Sequence, residues 1–261
     1  MSDKYPQPAK AEPTRMPTLD ELMSDEFDPE TDIDWTGDKN FRSGFACFVG
    51  RPNAGKSTLT NALVGAKIAI TSSKPQTTRH SIRGIVTRPD SQLVLIDTPG
   101  LHKPRTLLGT RLNDLVRDTW TEVDVIGVCL PTNQPIGPGD TFLVSEIAKL
   151  PKKPKLVALA TKTDIVSGDR LRQHLLDIQA LEEKLGISWQ AIIPCSAVSG
   201  EQVEEVADEL VKLLPYGPAF YPDGEVTAEP TEMLVTELIR EAALEGVRDE
   251  LPHSITVVID E

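Results

Sequence analysis

Gly50-Arg51-Pro52-Asn53-Ala54-Gly55-Lys56-Ser57 fits G-x-x-x-x-G-K-[ST] at every fixed position. It follows the apolar run Gly44-Phe45-Ala46-Cys47-Phe48-Val49 and opens an apolar-periodic stretch. Strand, glycine loop and helix in that order constrain the fold more than anything else in the chain. Gly50 and Gly55 permit dihedrals and close approach that a Cβ would block. Successive N–H groups then point at a phosphate, at the positive end of the helix dipole. On this reading Gly50, Arg51, Pro52, Asn53, Ala54, Gly55, Lys56, Ser57 and Thr58 wrap the phosphates of a nucleotide. Lys56 bridges β- and γ-phosphate oxygens, and Ser57 Oγ is a Mg²⁺ ligand.

The same grammar continues downstream. Short apolar runs recur at Leu93–Ile96, Val125–Leu130, Lys155–Ala160 and Ala191–Cys195, with helical patterns near 106–120, 139–150, 169–185 and 202–214. Strands buried on both faces, alternating with amphipathic helices, predict an α/β fold: a mostly parallel sheet with helices on both sides. Ser81–Arg88 alternates in polarity and turns through Pro89-Asp90-Ser91 into the next run, which predicts a hairpin and one antiparallel edge strand.

Net charge over 261 residues is −13, which by itself speaks against nucleic acid as a partner. The acids are concentrated at the ends. Residues 1–41 carry −7, residues 216–261 carry −9, and residues 42–215 carry +3. Residues 1–41, with five Pro and no sustained period, are expected to be a disordered acidic arm. Residues 42–215 form the predicted nucleotide-binding domain, and the Pro- and Gly-rich 216–230 a linker. Thr231–Glu250 reads as a helix and His253–Ile259 as a strand. One helix and one strand cannot close a core, so the chain is expected to stop inside a second domain.

No apolar run approaches the ~20 residues that span a bilayer, and the first ten residues lack the apolar core of a secretory signal. Cys47, Cys129 and Cys195 each lie in an apolar run and are expected to be buried reduced thiols. No C-x-x-C or H-x₃-H spacing offers a zinc site. His174 is expected at the surface, and Trp120, Trp189 and Phe142 in the core.

Asp97 closes the run Leu93–Ile96 and is followed by Pro99-Gly100. An acid there suits Mg²⁺ held through water, and the Gly100 N–H can reach a γ-phosphate. A third run ends in Thr161-Lys162-Thr163-Asp164. A carboxylate at Asp164 can accept from both N1–H and N2–H₂ of guanine, a donor pair that adenine lacks. The alternative for Asp164 is a helix N-cap. The Lys162 stem can cover the purine ring, and an amide in Cys195-Ser196-Ala197 can meet guanine O6.

These four segments resemble the first, third, fourth and fifth GTPase motifs in order and spacing. Ser73-Lys74-Pro75-Gln76-Thr77-Thr78-Arg79-His80, together with Asp97-Thr98-Pro99-Gly100-Leu101-His102-Lys103-Pro104, is narrower. It resembles the Era family of bacterial ribosome-assembly GTPases, of the TrmE-Era-EngA group. The resemblance implies a P-loop NTPase G domain over 42–215 and an incomplete type II KH domain over 231–261. It implies GTP/GDP and Mg²⁺ as ligands, 16S rRNA and the 30S subunit as partners, and no DNA. It also implies a cytoplasmic protein with peripheral membrane association. Three departures stand out. Thr161 replaces the usual Asn, which is expected to weaken guanine affinity. The KH G-x-x-G loop is missing, so RNA contact is expected to be impaired. The acidic arm is additional.

Thr78 is the expected γ-phosphate-dependent Mg²⁺ ligand, with Thr77 as the alternative. Leu101 stands where Ras-like enzymes place a water-orienting Gln, so slow intrinsic hydrolysis is expected; K⁺ near Asn53 is one candidate for the missing charge, and the alternative for Asn53 is a residue that tolerates an unusual loop dihedral. Lys56, Thr78 and Asn53 are the catalytic candidates. Ser57, Thr78 and Asp97 are the metal candidates. The nucleotide candidates beyond the loop are Asp97, Gly100, Thr161, Lys162, Asp164, Ser196 and Ala197. Arg51, Arg79, His80, His102, Lys103 and Arg105 lie on or near the switches as charges for RNA, for protein, or for an active site completed in trans. The competing readings are a nucleotide-dependent binding module with negligible hydrolysis and, less favoured, a small-molecule P-loop kinase.

Overall fold

Short runs with no polar face suit strands buried on both sides of a sheet, where the ladder satisfies their backbone. The structure, a computed structural model, describes residues 40–71, 82–97, 116–246 and 257. Its strands are β1 (Arg42–Val49), β2 (Ile82–Arg88), β3 (Ser91–Asp97), β4 (Val125–Pro131), β5 (Lys155–Thr161) and β6 (Trp189–Cys195). They form one sheet in the order β2-β3-β1-β4-β5-β6. β3, β1, β4, β5 and β6 run parallel, while β2 pairs antiparallel with β3, Ile82 facing Asp97. The predicted parallel sheet and edge hairpin are both present.

The helices are α1 (Lys56–Val64), α2 (Pro138–Ala148), α3 (Gly168–Leu185), α4 (Val203–Leu213) and α5 (Thr231–Gly246), with further helical residues at 116–122. Alternate strand residues point to opposite faces and so build two cores. Cys47, Val49, Ile126, Val128 and Ala158 pack under Trp120, α2 and α3. Ala46, Phe48, Leu95, Cys129 and Leu159 pack under α1 and α4. Parallel strands bring the ends of β1, β3, β4, β5 and β6 to one edge. The chain order reverses there between β1 and β4, which is where open α/β sheets bind ligands.

Two expectations fail. His174 is buried at 2% exposure, with Nε2 3.2 Å from the Leu130 carbonyl; burial holds its imidazole below the usual range. Its polar neighbours in α3 face solvent, but one helix turn carries both environments. Phe142 is 46% exposed on α2, whereas Trp120 and Trp189 are buried as expected.

Residues 216–230 lie as a strap against the sheet. Gln92 accepts through Oε1 from the N–H groups of Phe220 and Tyr221 and donates to the Tyr221 carbonyl. Thr227 bridges to Gly84 of β2, Arg42 stacks 4.1 Å above the Tyr216 ring, and Phe220 contacts Phe45. Beyond the strap, Leu234 of α5 packs on Ile68, Ala69 and Ile82. Glu241 accepts from the N–H and Oγ1 of Thr71, both at 3.0 Å, and pairs with Lys67. Asn61 of α1 holds the same segment: its Oδ1 accepts from Ile68 N and Ala69 N, and its Nδ2 donates to the Ala69 carbonyl. The acidic arm up to residue 39 and most of the predicted strand at 253–259 lie outside the described residues.

Candidate nucleotide site

The loop between β1 and α1 takes its shape from two left-handed residues, Asn53 at φ 61° and Gly55 at φ 95°. Gly50 sits hard against β4, where an added Cβ would come within 2.7 Å of the Cys129 carbonyl oxygen. A side chain there would lift the loop off the sheet. Lys56 is buried and donates through Nζ to the Gly50 and Arg51 carbonyls, both at 3.2 Å. Burial pulls its pKa below the usual lysine range, with Asp97 pulling the other way. An ammonium held between carbonyl oxygens at the start of α1 is set to receive phosphate oxygens.

Ser57 Oγ donates to Asp97 Oδ2 at 2.8 Å, and Asp97 is fully buried at the end of β3. The two predicted metal-side oxygens therefore converge beside Lys56. One hydroxyl and one carboxylate, completed by water and phosphate oxygens, match what Mg²⁺ accepts in nucleotide sites. These residues fit the ion.

At the end of β5 the Thr161 hydroxyl donates to the Ala54 carbonyl at 2.7 Å, in a buried contact. The shorter side chain thus still ties the base loop to the phosphate loop, because β5 brings it close enough. Thr161→Ala leaves that carbonyl unpaired, a loss of about 1–3 kcal/mol. GDP affinity should then fall roughly tenfold, about 1.4 kcal/mol, in a calorimetric titration. Thr161→Asn should stay near wild type.

Lys162 is left-handed at φ 64°, and Thr132 Oγ1 donates to its carbonyl. Asp164 lies in the short 3₁₀ turn Thr163–Ile165, and its Oδ1 accepts from Ser196 Oγ at 2.6 Å. The N-cap of α3 is Ser167, so Asp164 does not cap that helix. The Ser196 N–H donates to the Glu201 carbonyl, and Glu201 Oε2 accepts from Thr163 Oγ1. Gly55, Thr58, Thr161, Lys162, Asp164 and Ala197 line one cavity that joins the two loops.

Several sequence candidates lie outside the described residues: Thr77, Thr78, Gly100 and Leu101, and the charges Arg79, His80, His102, Lys103 and Arg105. Arg51 is described, and its guanidinium is bound to Asp140 rather than free. Asp140, Thr132 and Glu201 also support these loops. Each lies far along the chain from the loop it supports, and no motif spacing marks it. The three cysteines are free and buried, as expected. Burial pushes the Cys195 thiol up to about 12, and Cys47 and Cys129 higher still. These thiols are not nucleophiles at neutral pH.

A protein-family profile described as "50S ribosome-binding GTPase" matches residues 45–162. "GTPase Era" of Streptomyces coelicolor is 65% identical over 220 residues, which cover 84% of this chain and 69% of that one. "GTPase Era" of Mycolicibacterium smegmatis is 62% identical over 221 residues, covering 85% and 73%. Among solved structures, an Aquifex aeolicus Era variant bound to GDP·AlF4⁻ superposes at a TM-score of 0.74 with 30% identity, covering 82% of this chain and 71% of that one. Era in complex with MgGDPNP and nucleotides 1506–1542 of 16S ribosomal RNA superposes at 0.75, also with 30% identity, covering 82% and 70%.

Proposed function

The chain belongs to the Era family of GTPases, and from that membership we propose that it is a GTP-hydrolysing switch in small-subunit ribosome assembly. The observation that carries the reading is a pair of sites joined by one buried bond. Lys56, Ser57 and Asp97 serve the phosphates, Asp164 and Ser196 serve the base, and Thr161 to Ala54 fixes the distance between them. In this reading Gly50–Thr58 wraps the phosphates and Lys56 binds the β and γ oxygens. Bound Mg²⁺ neutralises charge on the phosphates. Ser196 Oγ aims the Asp164 carboxylate at guanine, and because the Ser196 amide is already engaged, Ala197 is the amide for O6.

Thr78, or Thr77, would complete the metal shell in the GTP state, and Gly100 would sense the γ-phosphate. Asn53, strained at positive φ, suits a loop that shares K⁺ with the ligand. Residues 42–215 are read as the GTPase unit, 216–230 as a linker and 231–261 as the opening of a KH domain. The family profile is worded for the large subunit, but the relatives at high identity and the 16S complex favour the small one. None of the described helices is long and apolar enough to cross a membrane. Family resemblance supports a cytoplasmic place with peripheral membrane contact.

Single-turnover hydrolysis tests the reading. With Mg²⁺ and excess enzyme, GTP should be cleaved and ATP not, faster in K⁺ than in Na⁺ at matched ionic strength. Addition of 30S subunits should change the rate. Tight GTP binding without cleavage in either salt would instead favour the non-hydrolysing binding module, which Leu101 makes the second reading. Equal competition by ATP would defeat both.

A further inference from the structure

Arg51 sends its side chain out of the phosphate loop. Its Nε donates to Asp140 Oδ1 at 2.7 Å, and its Nη2 lies 3.5 Å from the Pro135 carbonyl. Asp140 stands in the first turn of α2 and is 1% exposed, and its Oδ2 accepts from the Gly137 N–H at 2.9 Å. An acid in that turn needs no guanidinium to suit the helix dipole, and helix capping occupies only one of its oxygens. The other oxygen is committed to the loop.

The approach is built for it. The Arg51 stem crosses Gly139, where an added Cβ would stand 3.1 Å from Arg51 Cδ. The bare surface of that glycine clears a path for the arginine. The backbone of Arg51 is held at the other end, since its carbonyl accepts from Ala54 N and Lys56 Nζ, each at 3.2 Å. Residue 51 is thus pinned outward to α2 and inward to the loop.

We propose that Asp140 is a positioning residue for the nucleotide site, holding the phosphate loop in its binding shape through Arg51. The inference rests on the reading of that loop as a guanine-nucleotide site. Its effect is preorganisation: amides already aimed need not be ordered by the ligand, so more of the interaction energy survives as affinity.

GDP affinity is measured for the wild type, Asp140→Asn, Arg51→Ala and the double variant, with thermal unfolding followed in parallel. Each single change should weaken GDP about tenfold, and the double should be no weaker than the worse single, because the two residues act as one device. Added guanidinium, at concentrations below those that unfold the chain, should recover part of the affinity of Arg51→Ala and none of Asp140→Asn. The apolar pair Arg51→Met with Asp140→Leu leaves no unpaired buried charge, so it should fold and still bind GDP weakly.

Wild-type affinity in that pair would overturn the proposal, since packing alone would then suffice. So would additive losses, or tighter binding by Asp140→Asn, either of which would mean that Arg51 acts on the nucleotide directly. A wild type that binds no guanine nucleotide would overturn the site reading itself, a result separate from any difference among variants.

Discussion

Lys56→Met should abolish tight nucleotide binding while leaving the nucleotide-free protein at least as stable as the wild type. The two effects have one cause. The Lys56 ammonium is buried against two carbonyl oxygens, and desolvation lowers its pKa. A lysine whose folded pKa lies below its unfolded value destabilises the fold over the range beneath that folded pKa, and the penalty fades as pH rises through it. Replacing it with an apolar side chain of similar length removes that penalty. Phosphate oxygens repay the desolvation in the complex, so the loss of the charge is felt there. A buried charge contact of this kind is worth about 2–5 kcal/mol, roughly thirty- to several-thousand-fold in Kd. Titration with a fluorescent GDP analogue gives the affinity, and calorimetric unfolding at pH 7 gives the stability. A variant that loses both together would show that Lys56 holds up the loop instead of serving the ligand. Raising the pH should also stabilise the nucleotide-free wild type relative to Lys56→Met, because the penalty fades above the folded pKa.

Asp164→Asn should exchange guanine for xanthine. The carboxylate presents two acceptors, one of which also takes the Ser196 hydroxyl. An amide keeps one acceptor and gains a donor. Guanine then sets its N2–H₂ against an N–H₂ group, whereas xanthine offers a carbonyl at that position. A polar group forced against its like in a closed site costs about 2–4 kcal/mol, or roughly a hundredfold in guanine affinity. XDP should gain by a similar factor. Because Ser196 still finds an oxygen, the fold should be unchanged. Competition titrations with GDP, XDP and ADP would measure the exchange. Weakening toward all three bases alike would mean that Asp164 organises its loop without reading the base.

The sheet was legible because β1, β3, β4 and β5 are buried on both faces and their composition says so. The antiparallel β2 was legible because Ser81–Arg88 alternates. The phosphate loop, Asp97 and Asp164 were legible because each follows an apolar run at a spacing the chemistry demands. What the sequence concealed depends on approach in three dimensions. His174 reads as a surface residue among Arg172, Gln173 and Asp177, yet it lies under the helix, against the end of β4. Asp140 reads as an ordinary first-turn acid, and only the path of Arg51 across Gly139 gives it a second partner. Proline and glycine mark 216–230 as a linker without showing where it lies. No periodicity announces that the single side chain of Gln92 will bind its backbone three times. Nor does the sequence announce that β5 delivers the Thr161 hydroxyl to the Ala54 carbonyl.

The short run from Lys67 to Thr71 is gripped from two directions, by Asn61 on the helix that begins with Lys56 and by Glu241 on α5. It works as a common bearing for two levers. Were a partner to dock on α5 and displace it, the pull would fall on the segment that Asn61 of α1 also holds, and a displacement of α1 would pull on it from the other side. Thermodynamic reciprocity then requires that whatever docking does to nucleotide affinity, the nucleotide does to docking in equal measure.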